Sequence, residues 1–587
     1  MRQNSLLPAF LFAGLCVATT AFAGPDPLSV PGRRAPRVDT PFDQKPFSVV
    51  DGKQVPVPDV KMGDAATIDR IAEQGRYFSG VMATLTELCN TFGPRLTGSE
   101  AHEKAATWAR DRFRSYGLKA DLWQWGTIPV RFDRGPSTGV VYRVDESPDE
   151  EGTKIKEPQK VRDLQFTTLA WAAGTKGPTK GRVVRMPTTE EEYKAIEGQL
   201  KGAWILLKPP PTRGQRGVRG NSRGRYEQRI KAHQEVREGK NADELPIETR
   251  VCFKEIAGFI STSKDERVWT GAINGWRELD PAKPESWPSD VEVTVRQSDY
   301  DFINSRITDG DNMDVEFNLD NKMTGGPFPS YLVIAELPGT TRPDEVVIMS
   351  GHLDSWNGPG SLGTTDDGTG SAVTIETARI LAAARARPDR TIRFILWCGE
   401  EQGLLGSKSY VDSIKDQLDK VSACFVDDGG TNYQGGLPAA DNQVEYLAAA
   451  TAPVNSYFPD MTVNVRPTGQ YIATHGSSDH ASFNAAGTPG FFWDEVGRAD
   501  YGYGWHTQHD RLDLAIPEYL IQSATCSAIT TFNLACAPNL LPRAEKAPGP
   551  TPRISERNTN QSLAGKADPA KPETKPEPKP EAKPESK

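Results

Sequence analysis

The sequence predicts a mixed α/β fold in which a largely parallel sheet is flanked by helices. From residue 331 to residue 536, short β-like runs alternate with helical patterns, an order typical of parallel sheets. The clearest helix covers 371–386, and the β-like runs cover 331–337, 345–350, 391–397, 423–426 and 490–493. A second observation is a change of character over 131–305, where short β-like runs are separated by loops rich in proline, glycine and charge. We therefore expect a β-rich domain inserted into the α/β fold.

The N-terminal residues have the features of an export signal. A positive start at Met1–Arg2 is followed by an apolar run that ends in Ala21–Phe22–Ala23, a small-x-small cleavage pattern. We predict a signal peptide over 1–23 and export to the periplasm or the medium. Residues 24–62 are rich in proline and have little periodicity, which predicts an extended arm.

The rest of the chain divides by composition. Residues 63–130 contain two amphipathic helical patterns separated by the turn Phe92–Gly98, and they are expected to begin the catalytic domain. The insert 131–305 follows, and 306–543 hold the remainder of the catalytic domain with its metal site. Residues 544–587 are rich in lysine, proline and glutamate, so we expect a disordered tail.

Composition excludes several classes of function. The chain has 587 residues and a net charge of -9, so no basic surface for nucleic acid is expected. Beyond the first 25 residues no apolar run approaches the ~20 residues of a membrane span, which argues against a spanning protein. Six widely spaced cysteines follow the signal, predicting at most one or two disulfides, with Cys526 and Cys536 the nearest pair. The oligomeric state stays open, a homodimer included.

Metal-binding side chains follow the predicted strands in the last segment. They occur in His352–Asp354, Asp366–Asp367, Glu400–Glu401, Asp427–Asp428 and, after a Gly/Tyr-rich loop, at His506. Open α/β sheets place their ligand sites at the carboxyl edge of the strands, where such side chains converge. A cluster of carboxylates repels itself, and divalent cations relieve that repulsion. The pattern therefore predicts a metal site at this edge.

The order His-x-Asp, Asp-Asp-Gly, Glu-Glu, Asp, His resembles the co-catalytic zinc exopeptidases, which include secreted bacterial aminopeptidases, plasma glutamate carboxypeptidase and glutamate carboxypeptidase II. The resemblance covers about 63–125 and 310–540, and the insert resembles the protease-associated domain of several members. It implies a zinc-exopeptidase-like fold, two Zn²⁺ per chain and a short peptide as substrate.

The resemblance also implies a role for each motif residue. His352 and Asp428 would bind one zinc, Glu401 and His506 the other, and Asp366 would bridge both. Asp427 is an alternative to Asp428 that the sequence does not exclude. Glu400, next to a ligand in the chain, would be the general base.

Further residues are expected to support the site. Asp354 would orient the imidazole of His352, and Asp367 would shape the turn that presents Asp366. Many relatives carry a tyrosine before the final histidine, where it stabilises the oxyanion, but this chain has Trp505. We expect Tyr501, Tyr503 or His480 to take over that role.

The main prediction is an exported zinc-dependent aminopeptidase or dipeptidase that hydrolyses short peptides. The alternatives are a carboxypeptidase of the glutamate carboxypeptidase type, a single-zinc glutaminyl cyclase and a non-catalytic, receptor-like binding module. A complete set of expected ligands weighs against the last two. Arg498 and Asp500 both precede His506, so the sequence leaves open which peptide terminus is recognised.

Overall fold

The computed structural model describes residues 45–148, 154–209, 218–472 and 476–546. The predicted signal peptide, most of the predicted arm and the tail from residue 547 lie outside the described residues. The helices are α1 Ala65–Tyr77, α2 Val81–Phe92, α3 Glu100–Ser115, α4 Glu190–Ile196, α5 Val218–Arg237, α6 Ile247–Arg250, α7 Gln297–Thr308, α8 Thr369–Ala383, α9 Leu405–Ser413, α10 Val444–Tyr457, α11 His480–Ala486, α12 Tyr501–Gly504 and α13 Pro517–Cys536.

The strands are β1 Ser48–Val50, β2 Lys53–Val55, β3 Lys119–Pro148, β4 Lys154–Asp163, β5 Phe166–Thr167, β6 Thr179–Arg185, β7 Trp204–Leu206, β8 Gly258–Thr262, β9 Glu292–Val295, β10 Met313–Leu337, β11 Arg342–His352, β12 Arg390–Trp397, β13 Val421–Val426, β14 Tyr433–Ala439, β15 Asn464–Pro467, β16 Tyr471–Ile472, β17 Gly490–Phe492, β18 Asp494–Val496 and β19 Glu545–Lys546.

The central sheet has the strand order β17-β13-β11-β12-β10-β3. The first four strands run parallel, and β10 and β3 complete the sheet as antiparallel neighbours. Helices α8 and α13 pack together over one face, with α1 and α2 against them. The predicted mixed α/β fold is confirmed.

Strand β11 shows why the sequence signal is strong here. Val347 and Met349 pack into the core beneath α8 and α13, whereas Val346 and Ile348 pack into the core on the opposite face. Both faces are covered, so the strand reads as a continuous apolar run, as parallel central strands do. Its carboxyl end therefore emerges at a fixed, buried position, where His352 lies.

Part of the predicted arm is in fact a pair of strands. β1 pairs with β15 in parallel and with β2 in antiparallel fashion, in a second sheet ordered β18-β14-β15-β1-β2. The hydroxyl of Ser48 donates to the carbonyl of Ala448 at 2.8 Å. Strands of three residues carry almost no periodic signal, and their partner lies more than 400 residues away, so the sequence could not reveal them.

The insert is joined to the central sheet by a long ribbon. β3 and β10 pair antiparallel from the central sheet through to β4 and β6, so β3 crosses the first predicted boundary of the insert, whereas the second boundary falls within α7. Within the insert, β6, β7, β8 and β9 run parallel and β5 closes the edge. Trp204 and Phe317 are among the buried residues of its own core. The insert thus combines a sheet with helices α4–α7.

The six described cysteines are free thiols. Cys526 and Cys536 lie on the same helix, α13, ~15 Å apart along its axis at 1.5 Å per residue, beyond the reach of a disulfide. This pair, the nearest in the sequence, therefore does not form a disulfide. None of the helices in the described part of the chain combines the length and hydropathy that crossing a bilayer requires.

Candidate metal centre

Six predicted side chains converge at the carboxyl edge of the central sheet. Strand β11 ends at His352, β12 ends at Trp397 shortly before Glu400–Glu401, and β13 ends directly before Asp427–Asp428. Asp366 lies in the turn before α8, and His506 follows α12. The side chains of His352, Asp366, Glu400, Glu401, Asp428 and His506 are each 9% exposed or less. These strand ends and loops thus place the six side chains in one buried, acidic cluster.

His352 contacts carboxylates on both sides. Its Nε2 lies 3.2 Å from Oδ1 of Asp428, 3.3 Å from Oδ1 of Asp366 and 3.9 Å from Oε2 of Glu400. Its other ring nitrogen, Nδ1, lies 2.7 Å from the backbone carbonyl of Asp354. A proton on Nδ1 donates to that carbonyl, which leaves the Nε2 lone pair directed at the acidic cluster.

Asp366 lies between the two imidazoles. Its Oδ1 faces His352, and its Oδ2 is 3.0 Å from Nε2 of His506. The same Nε2 of His506 is 3.0 Å from Oε2 of Glu401. The structure therefore contains two half-sites that share one carboxylate, with His352 and Asp428 on one side and His506 and Glu401 on the other.

The electrostatics show a surplus of negative charge. Burial raises the pKa of Glu400 and of Glu401 well above its usual range, and it raises the pKa of Asp428 as well. Burial acts in the same direction on Asp366, but the imidazoles of His352 and His506 outweigh it and lower the pKa of that carboxyl. Four carboxyl groups share two imidazoles here, an imbalance that divalent cations offset.

The donor set fits zinc. Imidazole nitrogens and carboxylate oxygens form two groups in which all donor atoms lie within 4.8 Å of one another, one comprising Asp366, Glu401 and His506, the other His352, Asp367 and Asp428. Oε1 of Glu401 is buried without a hydrogen-bond partner among the described residues. A buried, unsatisfied carboxylate oxygen costs free energy that a cation would remove.

Asp428 and Asp427 face different partners. Asp428 contacts His352, as described above, whereas Oδ2 of Asp427 accepts a hydrogen bond from Nε2 of Gln434 at 2.7 Å. Gln434 is held in turn by Ser527 on α13. Of the two aspartates that the sequence left open, the structure brings Asp428 to the cluster and turns Asp427 towards the core.

Asp354 and Asp367 support the cluster through backbone groups. Asp367 accepts the backbone N–H of His352 and of Gly370, both at 2.9 Å, so it joins β11 to the start of α8. Asp354 contacts His352 through its backbone carbonyl, while its carboxylate is 3.7 Å from Nδ1 and accepts the hydroxyl of Thr97 at 2.6 Å. The expected residue thus contacts His352, but through a different atom.

Two supporting residues were not predicted from the sequence. Arg95 is completely buried, and its guanidinium donates to the backbone carbonyls of Leu353 and Gly363, which flank the loops bearing His352 and Asp366. Asp510 accepts the N–H and the hydroxyl of Thr365 and the N–H of Asp366. Arg95 stands in the turn 92–98, where the sequence pattern indicates only a break between two helices.

The residues proposed to replace the missing tyrosine occupy different places. Burial and the nearby carboxylates, Asp366 first among them, raise the pKa of Tyr501 well above its usual range, so its hydroxyl stays protonated beside the cluster. Tyr503 is 43% exposed and stacks on His509 at 4.8 Å. His480 packs on the ring of Phe492 at 5.5 Å. Trp505 itself stacks on His506 with ring centres 3.8 Å apart.

A loop of the insert holds the backbone around His506. The N–H of Thr270 donates to the carbonyl of His506 at 2.9 Å, and the N–H of Val268 donates to Oε1 of Gln508 at 2.8 Å. His506 itself has a positive φ of 57°, a conformation that non-glycine residues adopt only when their surroundings impose it. The insert therefore helps to fix this imidazole.

Comparisons with known proteins agree with this geometry. Residues 333–528 match the family model of Peptidase family M28. Carboxypeptidase Q of Mus musculus is 25% identical over 482 residues, covering 82% of this chain and 91% of that protein. Leucine aminopeptidase 1 of Pyrenophora teres f. teres is 28% identical over 227 residues, covering 36% of this chain and 57% of that protein.

A solved structure shares the fold. The crystal structure of a Peptidase M28 precursor from Shewanella amazonensis SB2B superposes with a TM-score of 0.53 at 24% identity, covering 82% of this chain and 98% of that one. The matched segment 333–528 contains all six clustered side chains. Residues 333–528 form a Peptidase family M28 domain, of the co-catalytic zinc exopeptidases that its motifs resemble, and the chain is a metallo-exopeptidase.

Proposed function

We propose that this chain is an exported aminopeptidase or dipeptidase that binds two zinc ions and removes single residues from short peptides. The observation that carries the proposal is the position of Asp366 between the two imidazoles, with one further carboxylate beside each of them. Three protein donors on each side leave coordination positions free, which is the pattern of a catalytic rather than a structural zinc site.

We assign the ligands as the geometry groups them. His352 and Asp428 would hold one zinc, Glu401 and His506 the other, and Asp366 would contribute one oxygen to each. Asp367 is assigned a structural role, because both of its oxygens already accept backbone N–H groups. Zinc, when bound, supplies Lewis acidity towards the substrate carbonyl and towards water.

Glu400 is assigned as the general base. It follows β12 beside Glu401, its Oε2 lies 3.9 Å from Nε2 of His352, and it is the one carboxylate in the cluster that neither half-site requires. The chain's own contribution to the reaction is then a proton transfer. Glu400 takes a proton from the attacking water and passes it to the nitrogen of the leaving amine.

Tyr501 is assigned to the oxyanion. Of Tyr501, Tyr503 and His480, it is Tyr501 whose pKa the clustered carboxylates raise. The raised pKa keeps a proton on its hydroxyl, available for donation. The ring of Trp505, stacked on His506, and Trp356, 5.8 Å from the same imidazole, form an apolar wall on this side. That wall suits a substrate with an apolar side chain.

A second candidate function is recognition of the carboxyl terminus of the peptide rather than its amino terminus. The match to Carboxypeptidase Q spans 82% of this chain, whereas that to Leucine aminopeptidase 1 spans 36%, which favours a carboxypeptidase or dipeptidase as the second candidate. Arg498, the nearby cation in the sequence, is held by Glu518 at 2.8 Å. A guanidinium already paired is less available to a substrate carboxylate, which favours the aminopeptidase.

The test combines metal content with two substrate types. The purified chain is assayed on amino-acyl anilides and on unblocked dipeptides before chelation, after chelation and after zinc is restored. Cleavage of both substrates that is lost on chelation and restored by zinc supports the proposal. Cleavage of dipeptides without anilides shifts recognition to the carboxylate end. No hydrolysis at any zinc concentration would overturn the assignment.

A further inference from the structure

A second cluster of metal-binding side chains lies in the insert. His233, Cys252 and Asp290 each offer a donor atom, and these three atoms lie within 4.8 Å of one another. The cluster shares no residue with the centre at the edge of the central sheet. Imidazole nitrogen, thiolate sulfur and carboxylate oxygen are all donors that zinc accepts in proteins.

The three residues come from separate segments of the insert. His233 is on α5, Cys252 follows α6, and Asp290 precedes β9. All three are partly buried, and the side chains of His233 and Asp290 are 21% and 12% exposed. Nε2 of His233 lies 2.8 Å from Oδ1 of Asp290, so these two donor atoms are adjacent and share a hydrogen bond.

The charges around the cluster leave one carboxylate in surplus. The guanidinium of Arg229 pairs closely with Glu292, and its Nε is 3.4 Å from Oδ2 of Asp290. One cation thus faces two carboxylates, and Oδ2 of Asp290 is buried without a hydrogen-bond donor among the described residues. A divalent cation bound by Asp290 and a Cys252 thiolate would balance this charge.

A small cavity beside His233 and Asp290 could hold a water molecule as a fourth ligand. His233 and Asp290 line a small cavity of about 10 Å³, which has room for about one water molecule. Zinc in proteins is usually tetrahedral, so three side chains and one water complete its coordination. The site therefore needs no further protein ligand.

The thiol itself is unsuited to nucleophilic chemistry. Burial, together with the neighbouring Asp290, raises the pKa of Cys252, so without a cation the sulfur keeps its proton. A thiol in such a place is a poor nucleophile, because the thiolate is the reactive form. A metal ion that replaces the proton makes the same sulfur a strong ligand.

We propose that His233, Cys252 and Asp290 bind a zinc ion in the insert, separate from the peptidase centre. The ion would tie α5, the turn after α6 and the loop before β9 together. Its occupancy does not depend on the proposed peptide specificity, so failure of either idea leaves the other intact.

Cobalt provides a selective probe, because a cysteine thiolate bound to Co²⁺ absorbs strongly in the near ultraviolet, whereas carboxylate and imidazole ligands do not. The full chain is stripped with a chelator, dialysed and titrated with Co²⁺. We expect this absorption in the wild type and its loss in Cys252→Ser. Cys536→Ser is the matched control, since Cys536 is also partly buried but lies on α13, and it should retain the absorption.

Zinc content gives an independent readout. Cys252→Ser should contain one zinc fewer per chain than the wild type while keeping its peptidase turnover. His233→Gln, which preserves an amide hydrogen bond to Asp290, should show the same loss and serves if the serine variant does not fold. No thiolate absorption in the wild type, or its persistence in Cys252→Ser, would overturn the proposal.

Discussion

At the residue scale, neighbouring residues of the same type have different partners. Glu400 and Glu401 follow the same strand, but Glu401 faces His506 and Glu400 faces His352. Asp427 and Asp428 follow another strand, yet one faces Gln434 and the other His352. Adjacent residues after a strand point in different directions, so chemical type alone does not assign a role.

The first prediction concerns Glu400. Glu400→Gln removes the proton acceptor but keeps the shape of the side chain, so kcat should fall by about 10²–10⁴-fold with zinc content unchanged. Steady-state kinetics and metal analysis on the same preparation check this. Glu445→Gln, at an exposed position on α10, is the control and should be neutral. Loss of zinc from Glu400→Gln would make Glu400 a ligand instead.

The second prediction separates the two aspartates. Asp428→Asn should lose one zinc per chain, since it removes a charged donor beside His352. Asp427→Asn should keep its zinc and be at least as stable, because burial raises the pKa of Asp427 to about 6, and the neutral amide avoids the cost of a buried charge while still accepting from Gln434. Equilibrium dialysis and thermal unfolding measure the two effects. The reverse pattern would assign the ligand to Asp427.

The third prediction concerns pH. Burial lowers the pKa of His102 from its usual 6.5 to about 4, so His102 is neutral in the folded protein at neutral pH. The unfolded chain binds this proton more readily, so the contribution to stability is complete above pH 6.5 and is lost as the pH falls towards 4. The free energy of unfolding of the chelator-treated wild type should therefore fall more steeply with acid than that of chelator-treated His102→Gln. Parallel curves for the two proteins would contradict this.

At the scale of elements, the loops and turns between helices and strands hold the residues of the metal centre in place. The turn between α2 and α3 supplies Arg95 and Thr97, which hold the loop after β11. The insert loop around residues 266–270 holds the segment after α12. The centre is thus assembled from the catalytic domain and stabilised by the insert.

The fourth prediction tests that contact. Gln508 accepts the N–H of Val268 and donates to the carbonyl of Glu266 and to Gln165. Gln508→Ala removes these bonds, each contributing ~1 kcal/mol, so zinc should leave the His506 side roughly tenfold faster in the presence of a chelator. Gln417→Ala, at an exposed position, is the control. Equal rates in all three proteins would show that the insert does not support His506.

At the scale of the whole molecule, the surplus of buried negative charge couples metal binding to stability. Without a cation, the carboxylates of the cluster must be protonated or must repel one another, and either condition disfavours the folded state. Binding of zinc to the folded chain alone therefore shifts the unfolding equilibrium.

The fifth prediction follows from this coupling. Chelation should lower the unfolding temperature and zinc should restore it, with a gain of ~2.7 kcal/mol when free zinc is 100-fold above its Kd. Measuring the effect in Cys252→Ser removes any contribution of the insert cluster. Differential scanning calorimetry gives the shift. An unfolding temperature that does not change on chelation would mean that the peptidase centre binds no metal tightly.

The sequence by itself determined the fold class, the strands of the central sheet and the residues at their carboxyl ends. Those features are local: both-sided burial gives continuous apolar runs, and the polar residues that follow them are adjacent in the chain. The tertiary structure alone decided which of Asp427 and Asp428 meets His352, which residues Arg95 and Asp510 support, and that β1 pairs with β15. It also brought His233, Cys252 and Asp290 together. Side chains from distant segments meet only once strand order and helix packing are set, and periodicity does not encode that arrangement.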